Sequence, residues 1–415
     1  MEFKVSNFRL PSWPAWKWIT FCLLIVAIAW AAITAVKRGG DLESYLRASR
    51  RLAAGENIYV DEIFPYMYPP FLAFLLTPLV FVSLGAAKLL WYLGNILFIF
   101  LSFILLFKLV RPESGKRFLL TFLSLLFTLR FLSDSTHRGQ VNIMILLLCV
   151  LTLYFFSRKK LCWAALFLAM AIAIKLTALL LLGYFLFKRK FRFCGLTTVC
   201  LIFVLLLPMV SAGFSQNIYA LKQYPTVAAN IYDHDKLNQS LHNAMLHLFH
   251  PIAIKDNSSI HVLKLEEALI KWLTYMLILA MALFSALKFK GNSGDSGMVF
   301  NIEFAIVITL MLLFSPVSRK DHFVTLLIPY FFYFHFLLDP SFFKQIRNKK
   351  FLLACLLASF LLSSATVETV VGNLANDVLE SYFCVTWGTI MLWIGLLVLR
   401  QETANIPQFG RKELL

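Results

Sequence analysis

The amino-acid sequence predicts an all-α, polytopic integral membrane helix bundle of about 12 spanning helices, in a range of about 11–13. Of the 415 residues, 60% are hydrophobic and 15% are charged, whereas a soluble domain is about 45–50% apolar and about 25% charged. Long apolar runs recur along most of the chain, and they are continuous rather than alternating. Because every backbone polar group in lipid needs a partner, continuous runs predict helices and exclude a β-barrel.

Twelve apolar runs are predicted to cross the membrane, because a bilayer core about 30 Å thick takes about 20 helical residues to span. The run Met67–Leu84 begins with Pro69-Pro70 and is broken by Pro78, so we predict an interfacial or re-entrant helix there. Residues 1–415 are predicted to form one transmembrane domain, with interfacial helices in the first loop. The predicted spans are Trp18–Val36, Lys88–Leu109, Lys116–Leu132, Val141–Phe156, Leu161–Ile174, Leu176–Phe187, Cys194–Ser211, Glu267–Leu287, Phe300–Phe314, His322–Leu338, Phe351–Val370 and Ser381–Leu399.

Basic residues lie in short clusters between the apolar runs, which is the pattern of cytoplasmic loops. These clusters account for the net charge of +17, so no nucleic-acid partner is predicted. Alternate crossings place both termini in the cytoplasm, with the chain in the cell (inner) membrane, and leave five connections on the extracytoplasmic side. These connections are Lys37–Tyr66, Ser133–Gln140, Ala212–Glu266, Ser315–Asp321 and Val371–Glu380.

The seven cysteines lie nearly all inside apolar runs and have no metal-like spacing. Buried cysteine behaves as a small hydrophobic residue. We therefore predict neither disulfides nor a metal site.

Asp41 follows two glycines and opens a predicted helix that ends near Gly55. Asp41, Tyr45 and Leu52 fall on one face of this helix. One interpretation is that Asp41 is only the N-cap of the helix. The other is catalysis: the cap and the helix dipole are expected to lower the pKa of Asp41. An ionised carboxylate at the membrane edge would suit a general base for a sugar hydroxyl.

Two further segments carry polar or aromatic side chains at the edge of an apolar run. Tyr68 precedes a Pro-Pro helix start, which is typical of an interface-anchored helix with an aromatic belt. The segment HRGQVN supplies Arg138, Gln140 and Asn142 at the predicted extracytoplasmic end of a span. These side chains suit a phosphate or sugar hydroxyls, and the alternative is a capped helix start.

Other polar residues fall at predicted turns on the same side. Lys175 separates two apolar runs. One interpretation is that it pairs with a lipid phosphate, and the other is that it only extends its amine to the membrane interface. Asn238 and Gln239 lie in the longest loop and suit a sugar pocket. In the segment SPVSRKDH, Arg319 and Lys320 suit a phosphate, and His322 suits substrate orientation or proton relay. The alternative for that segment is a cytoplasmic turn, because basic residues disfavour an outer loop.

Six motifs occur in order along residues 39–329, namely GGDLESYLRASRRLAAGENIY, YPPFLAFLLTPL, RGQVN, the region of Lys175, NQSL and SPVSRKDH. Together they resemble the polyprenol-phosphate-mannose-dependent α-mannosyltransferases, glycosyltransferase family 87 of the GT-C class. Asp41 falls on the first-loop aspartate of that family, and His322 falls on a histidine of its SPxSWxHH-like segment. Arg319 stands where the family has tryptophan, Asp321 where it has the first histidine, and Leu176 where a proline follows the lysine.

The resemblance implies a GT-C fold, a polyprenyl-phosphate sugar donor, mannose as the sugar, and an inverting single displacement with no metal or cofactor. It implies Asp41 and His322 as catalytic residues and a membrane lipid, glycolipid or glycan as acceptor. Loops 37–66 and 212–266 would cap the active site. The open alternatives are a lipid or glycan transporter or flippase, and an inactive assembly subunit of the same fold. The remaining residues are assigned to the donor phosphate (Arg138, Lys175, Arg319, Lys320) and to substrate (Tyr45, Tyr68, Gln140, Asn142, Asn238, Gln239).

Overall fold

The computed structural model of the protein describes residues 40–60, 65–229, 237–250, 264–289 and 297–406. Within these residues the regular structure is helical and contains no β-strand; an isolated antiparallel bridge joins Asn238 to Arg319. The predicted all-α class is therefore confirmed. The predicted first span, Trp18–Val36, lies outside the described residues.

Short 3-10 segments occupy Thr77–Phe81, Leu176–Ala178 and Lys320–Leu326, and a π-helical turn occupies Phe360–Ser364. In chain order, the α-helices are α1 (Asp41–Ala53), α2 (Pro70–Leu76), α3 (Leu84–Val110), α4 (Ser114–Arg138), α5 (Asn142–Ser157), α6 (Leu161–Ile174), α7 (Leu179–Phe187), α8 (Phe191–Leu206), α9 (Met209–Ala212), α10 (Phe214–Ala229), α11 (Leu241–Phe249), α12 (Glu267–Phe289), α13 (Met298–Leu313), α14 (Leu327–Leu337), α15 (Pro340–Gln345), α16 (Lys349–Ser359), α17 (Glu368–Val371), α18 (Asn373–Ser381) and α19 (Cys384–Asn405).

Five helical segments among the described residues are long and apolar enough to cross a membrane, so the chain is an integral membrane protein. The predicted number of spans stays a prediction. Several predicted spans have different bounds. Lys116–Leu132 lies inside the longer helix Ser114–Arg138, so most of the predicted connection Ser133–Gln140 is helical. The predicted span His322–Leu338 begins in a 3-10 segment, and Phe351–Val370 ends at Ser364 in the π-helical turn. The five segments are Leu84–Val110, Ser114–Arg138, Phe191–Ala212, Glu267–Phe289 and Cys384–Asn405.

Small residues set the closest helix contacts. Ala164, Ala165 and Ala169 of α6 are fully buried, where α6 packs between α5 and α8. In α19, a Cβ on Gly395 would lie 2.6 Å from the hydroxyl of Tyr333. Since lipid supplies no hydrophobic drive between helices, close van der Waals contact at small residues holds them together.

The five connections predicted to share one face of the membrane meet at one end of the bundle, which we call the Asp41 end. The side of the membrane on which this end lies stays a prediction. Described residues of these connections contact one another, for example Gly40 with Arg138, Asn238 with Arg319, and Lys320 with Glu380.

A buried ion-pair network ties three helices together near the opposite end. Glu303 of α13 has no exposed surface and accepts from Arg400 at 2.7 Å and from Lys188 at 3.0 Å. Tyr184 donates to the same carboxylate at 3.0 Å. These contacts join α7 and its C-terminal turn to α13 and α19.

We expect Glu303→Gln to lower the melting temperature of the detergent-purified protein strongly. Breaking a buried ion pair costs about 3–5 kcal/mol, because the remaining charges stay buried without a counter-charge. Glu113→Gln is the control: this exposed carboxylate pairs only with Lys116, and exposed pairs contribute about 0–1 kcal/mol. Equal melting temperatures for the two variants would contradict the structural role of Glu303.

Candidate active site

Asp41 is the first residue of α1, an amphipathic helix. Tyr45 and Leu52 are buried on one face, and Gly55 follows the helix end with a positive φ of 71°. The predicted face and C-terminal stop are therefore confirmed. The N-cap position belongs to Gly40, and no side chain caps the helix. The interpretation of Asp41 as the N-cap is therefore wrong, since its carboxylate points into other contacts.

Two glycines allow the start of α1 to lie directly against the end of α4. Gly40 and Gly139 both have a φ of 66°, a region that glycine adopts without steric cost. A Cβ on Gly40 would lie 2.2 Å from the carbonyl oxygen of Arg138, and one on Gly139 would lie 3.0 Å from the Cβ of Leu42. This crossing brings Asp41 beside the residue that follows Gly139.

That residue, Gln140, orients the carboxylate. Its Nε2 donates to Oδ2 of Asp41. Its Oε1 accepts from the hydroxyl of Tyr45 at 3.0 Å and from that of Tyr68 at 3.2 Å. Gln140 is buried, so the two tyrosines fix which end of its amide faces Asp41.

A second set of contacts extends from Gln140 to the 3-10 segment Lys320–Leu326. Asn142 Nδ2 donates to Oδ2 of Asp321 at 2.7 Å and lies 3.4 Å from Oε1 of Gln140. Lys175 Nζ donates to Oδ1 of Asn142 at 2.8 Å. His322 Nε2 lies 3.6 Å from the same Asp321 oxygen. The structure thus brings together side chains from five connected segments in one polar network.

Burial dominates the electrostatics of Asp41. Desolvation raises the pKa of this carboxyl, against the opposing effects of Arg138, the Gln140 hydrogen bond and Arg319. The expected lowering of its pKa is therefore wrong, because the helix-dipole argument leaves out this burial. A carboxylate with a raised pKa is a stronger proton acceptor, which suits a general base.

A narrow cleft opens beside this network. Lys175, Asn142 and His322 line it, together with hydroxyls of Ser315 and Ser318. Ile145, Met311 and Leu312 form its apolar wall. Burial lowers the pKa of Lys175 to about 8, and Asp321 acts in the opposite direction. The cleft therefore places one ammonium group and several hydrogen-bonding side chains beside an apolar surface.

Three predicted site residues hold loops together at this end. Asn238 accepts from the backbone N–H of Ser318 at 2.9 Å, and the backbone N–H of Gln239 donates to the Ser318 carbonyl at 2.8 Å. Lys320 pairs with Glu380, which also binds Arg130 at 3.0 Å. These contacts support the loop that carries Asp321 and His322. Direct roles of Asn238, Gln239 and Lys320 toward a ligand stay predictions.

Asp321 is the residue that the sequence analysis did not assign to the site. It is 1% exposed, it accepts a hydrogen bond from Asn142, and it lies 3.6 Å from His322. Asn142 in turn accepts a hydrogen bond from Lys175. One signal was present in the sequence: a carboxylate stands where the resembling family has histidine. Among the described residues, no group of three His, Cys, Asp or Glu side chains is arranged to hold a metal ion.

This membrane-embedded helix bundle is a glycosyltransferase, as a family comparison shows. Residues 66–316, more than half of the chain, match the model of glycosyltransferase family 87, and the chain belongs to that family. This confirms the resemblance and the predicted enzyme class. Gln140, Asn142 and Lys175 lie inside the matched segment, whereas Asp41 and His322 lie outside it.

Two solved structures of ArnT from Cupriavidus metallidurans are also similar to the chain, one in the apo state and one bound to undecaprenyl phosphate. Each is 14% identical in sequence to this protein, and the similarity covers 94% of this protein's chain. The similarity covers 78% of the apo structure with a TM-score of 0.43, and 77% of the bound structure with a TM-score of 0.42. No curated protein matches the chain.

We expect Gly40→Ala to disrupt the site, because the new methyl group meets the Arg138 carbonyl and the backbone keeps a positive φ. Transfer activity should fall at least tenfold and the melting temperature should drop. Gly183→Ala is the matched control: Gly183 lies inside α7 with open space around its Cα, and alanine there is favoured by about 0.5–1 kcal/mol. A Gly40→Ala variant with wild-type activity would contradict the close crossing.

Proposed function

We propose that the protein transfers a hexose, mannose by the resemblance, from a polyprenyl-phosphate sugar to a lipid or glycan acceptor. Asp41 serves as the general base of an inverting displacement. The observation that carries this proposal is the half-buried Asp41 carboxylate, oriented by Gln140 and bordered by the positive charges of Arg138 and Arg319. Membership of glycosyltransferase family 87 supplies the reaction class.

In the proposed step, the acceptor oxygen attacks the anomeric carbon from the face opposite the phosphate. The bond between that carbon and the phosphate oxygen breaks, and its electron pair stays on the phosphate. The acceptor proton passes to Asp41, and the configuration at the anomeric carbon inverts. Since Gln140 occupies Oδ2 of Asp41, Oδ1 is the oxygen that we assign to the proton.

Cationic side chains would stabilise the departing phosphate. Lys175 lines the cleft beside Asn142. Arg138 and Arg319 lie near enough to Asp41 for their charges to oppose the rise in its pKa that burial causes. Fixed positive groups aimed at a leaving phosphate stabilise the charge that develops there. We therefore assign no metal or cofactor to the step. His322, in the same cleft, would orient a sugar hydroxyl.

The polyprenyl tail requires an apolar path to the site, and α2 suits this role. Tyr66 fixes the start of α2, because its hydroxyl donates to the Pro69 carbonyl at 2.9 Å and accepts from the Ala73 N–H at 3.0 Å. At the other end of this segment, Phe81 is 82% exposed. We propose that Pro70–Phe81 lies at the membrane interface and borders the tail.

We further propose that the Asp41 end faces the extracytoplasmic side of the cell (inner) membrane. The connections between α3 and α4, α5 and α6, and α7 and α8 lie at the opposite ends of these helices and carry clustered basic residues. Loops of this kind remain in the cytoplasm. Both chain termini are assigned to the cytoplasm on the same basis.

We expect Asp41→Asn to reduce hexose transfer from a labelled polyprenyl-phosphate hexose by about 10²–10⁴-fold, the usual contribution of a general base. The shape of the side chain is preserved, so donor binding and melting temperature should change little. Wild-type kcat/KM should rise with pH through the Asp41 pKa, because only the ionised carboxylate accepts the proton. Glu56→Gln, an exposed carboxylate a few residues beyond α1, should retain wild-type transfer.

Three outcomes would contradict parts of this proposal. Full transfer by Asp41→Asn would remove Asp41 from the mechanism. Donor binding by the wild type without turnover on any membrane acceptor would indicate an inactive assembly subunit. Movement of the lipid across vesicle membranes without sugar transfer would indicate a flippase.

A further inference from the structure

Asp321 is a buried carboxylate that the proposed reaction does not use. Its side chain is 1% exposed, and its Oδ2 accepts from Asn142 at 2.7 Å. Its Oδ1 has no hydrogen-bond partner among the described residues. A buried carboxylate needs a nearby positive charge to offset its desolvation. The structure supplies one through Asn142.

Asn142 connects Asp321 to Lys175 through the two ends of one amide. Its Oδ1 accepts from the Lys175 ammonium at 2.8 Å, and its Nδ2 donates to Asp321. The amide therefore presents its acceptor to the cation and its donor to the anion, which is the favourable orientation for both. Asn142 takes one of the three donors of the ammonium group, and Lys175 lines the cleft.

The charges around Lys175 are of both signs. Asp321 and Asp41 are the carboxylates of the network, and Arg138, Arg319 and His322 face it from α4 and the loop after α13. Burial raises the pKa of Asp321, and Lys175 is the strongest influence acting to lower it. In turn, Asp321 is the carboxylate that opposes the effect of burial on Lys175. The two groups therefore stabilise each other's charged forms.

We propose that Asp321 is a positioning residue of the transfer reaction: acting through Asn142, it keeps the Lys175 ammonium charged and aimed into the cleft that takes the donor phosphate. This inference rests on the proposed function. Asp321 lies behind Asn142 and need not touch the substrate.

The test is Asp321→Asn, which removes the charge and keeps the shape of the side chain. Without the Asp321 charge the pKa of Lys175 should fall below its present value of about 8, so the ammonium loses its proton at lower pH. We expect the alkaline limb of kcat/KM to move to lower pH, with transfer retained on the acid side of that limb. Binding of polyprenyl phosphate should also weaken at alkaline pH, and the pH at which it weakens should be lower in the variant by the same amount.

A second background separates this role from a structural one. Arginine stays protonated throughout this pH range, so Lys175→Arg should remove the Lys175 contribution to the alkaline limb. Asp321→Asn added to Lys175→Arg should then produce no alkaline shift in donor binding. Glu113→Gln, at the far end of α4, is the matched carboxylate control and should leave both pH profiles at their wild-type positions.

Two results would overturn the inference. An unchanged alkaline limb in Asp321→Asn would show that Asp321 does not act through Lys175. Loss of transfer at every pH, with the wild-type melting temperature and unshifted binding of polyprenyl phosphate, would show that Asp321 acts on the substrate itself. A wild-type protein that binds polyprenyl phosphate with the predicted shift but transfers no hexose would instead contradict the proposed function alone.

Discussion

The hydrogen bond from Gln140 to Asp41 joins positions 99 residues apart, and the arrangement of the site depends on it. It forms because Gly40 and Gly139 let two backbone segments cross within van der Waals contact. A side chain at either glycine would meet backbone or Leu42 before the carboxylate reached the amide. The position of the proposed base is therefore set by backbone geometry at the end of α4 and not by the helix that carries it.

Uncharged amides, and not direct ion pairs, connect the two carboxylates of the site. Gln140 donates to Asp41 and Asn142 donates to Asp321. The carbonyl oxygen of Gln140 accepts from two tyrosine hydroxyls, and that of Asn142 accepts from Lys175. An ionised carboxylate can only accept hydrogen bonds, so an amide N–H is a suitable partner for each of them. Since polar groups buried without partners are costly, this orientation gives each carboxylate at least one donor while it keeps the two negative charges apart.

Local patterns predicted the elements well and the long-range contacts poorly. The bounds of α6 agree with the predicted run Leu161–Ile174, and the buried face of α1 follows from helical spacing. The predicted direction of the Asp41 pKa shift was wrong, because the desolvation that raises it comes from tertiary packing, for example against Gln140, and the local helix pattern does not show that packing. Likewise, nothing near Lys320 in the sequence indicates its partner Glu380, which lies 60 residues away. Asp321 was missed for the same reason, since its importance comes from Asn142, 179 residues away.

The two ends of the bundle show why similar charged residues serve different purposes. Near the opposite end, Glu303 accepts from two cations and a tyrosine and has no exposed surface. Both oxygens of that carboxylate accept hydrogen bonds, so we assign its network to the stability of the fold. At the Asp41 end, by contrast, the Lys175 ammonium donates one hydrogen bond to Asn142 and lines a cleft beside His322. A buried charge can bind a substrate only if it keeps unused hydrogen-bond donors or acceptors at a cleft. In the proposed function, Lys175 meets this condition and Glu303 does not.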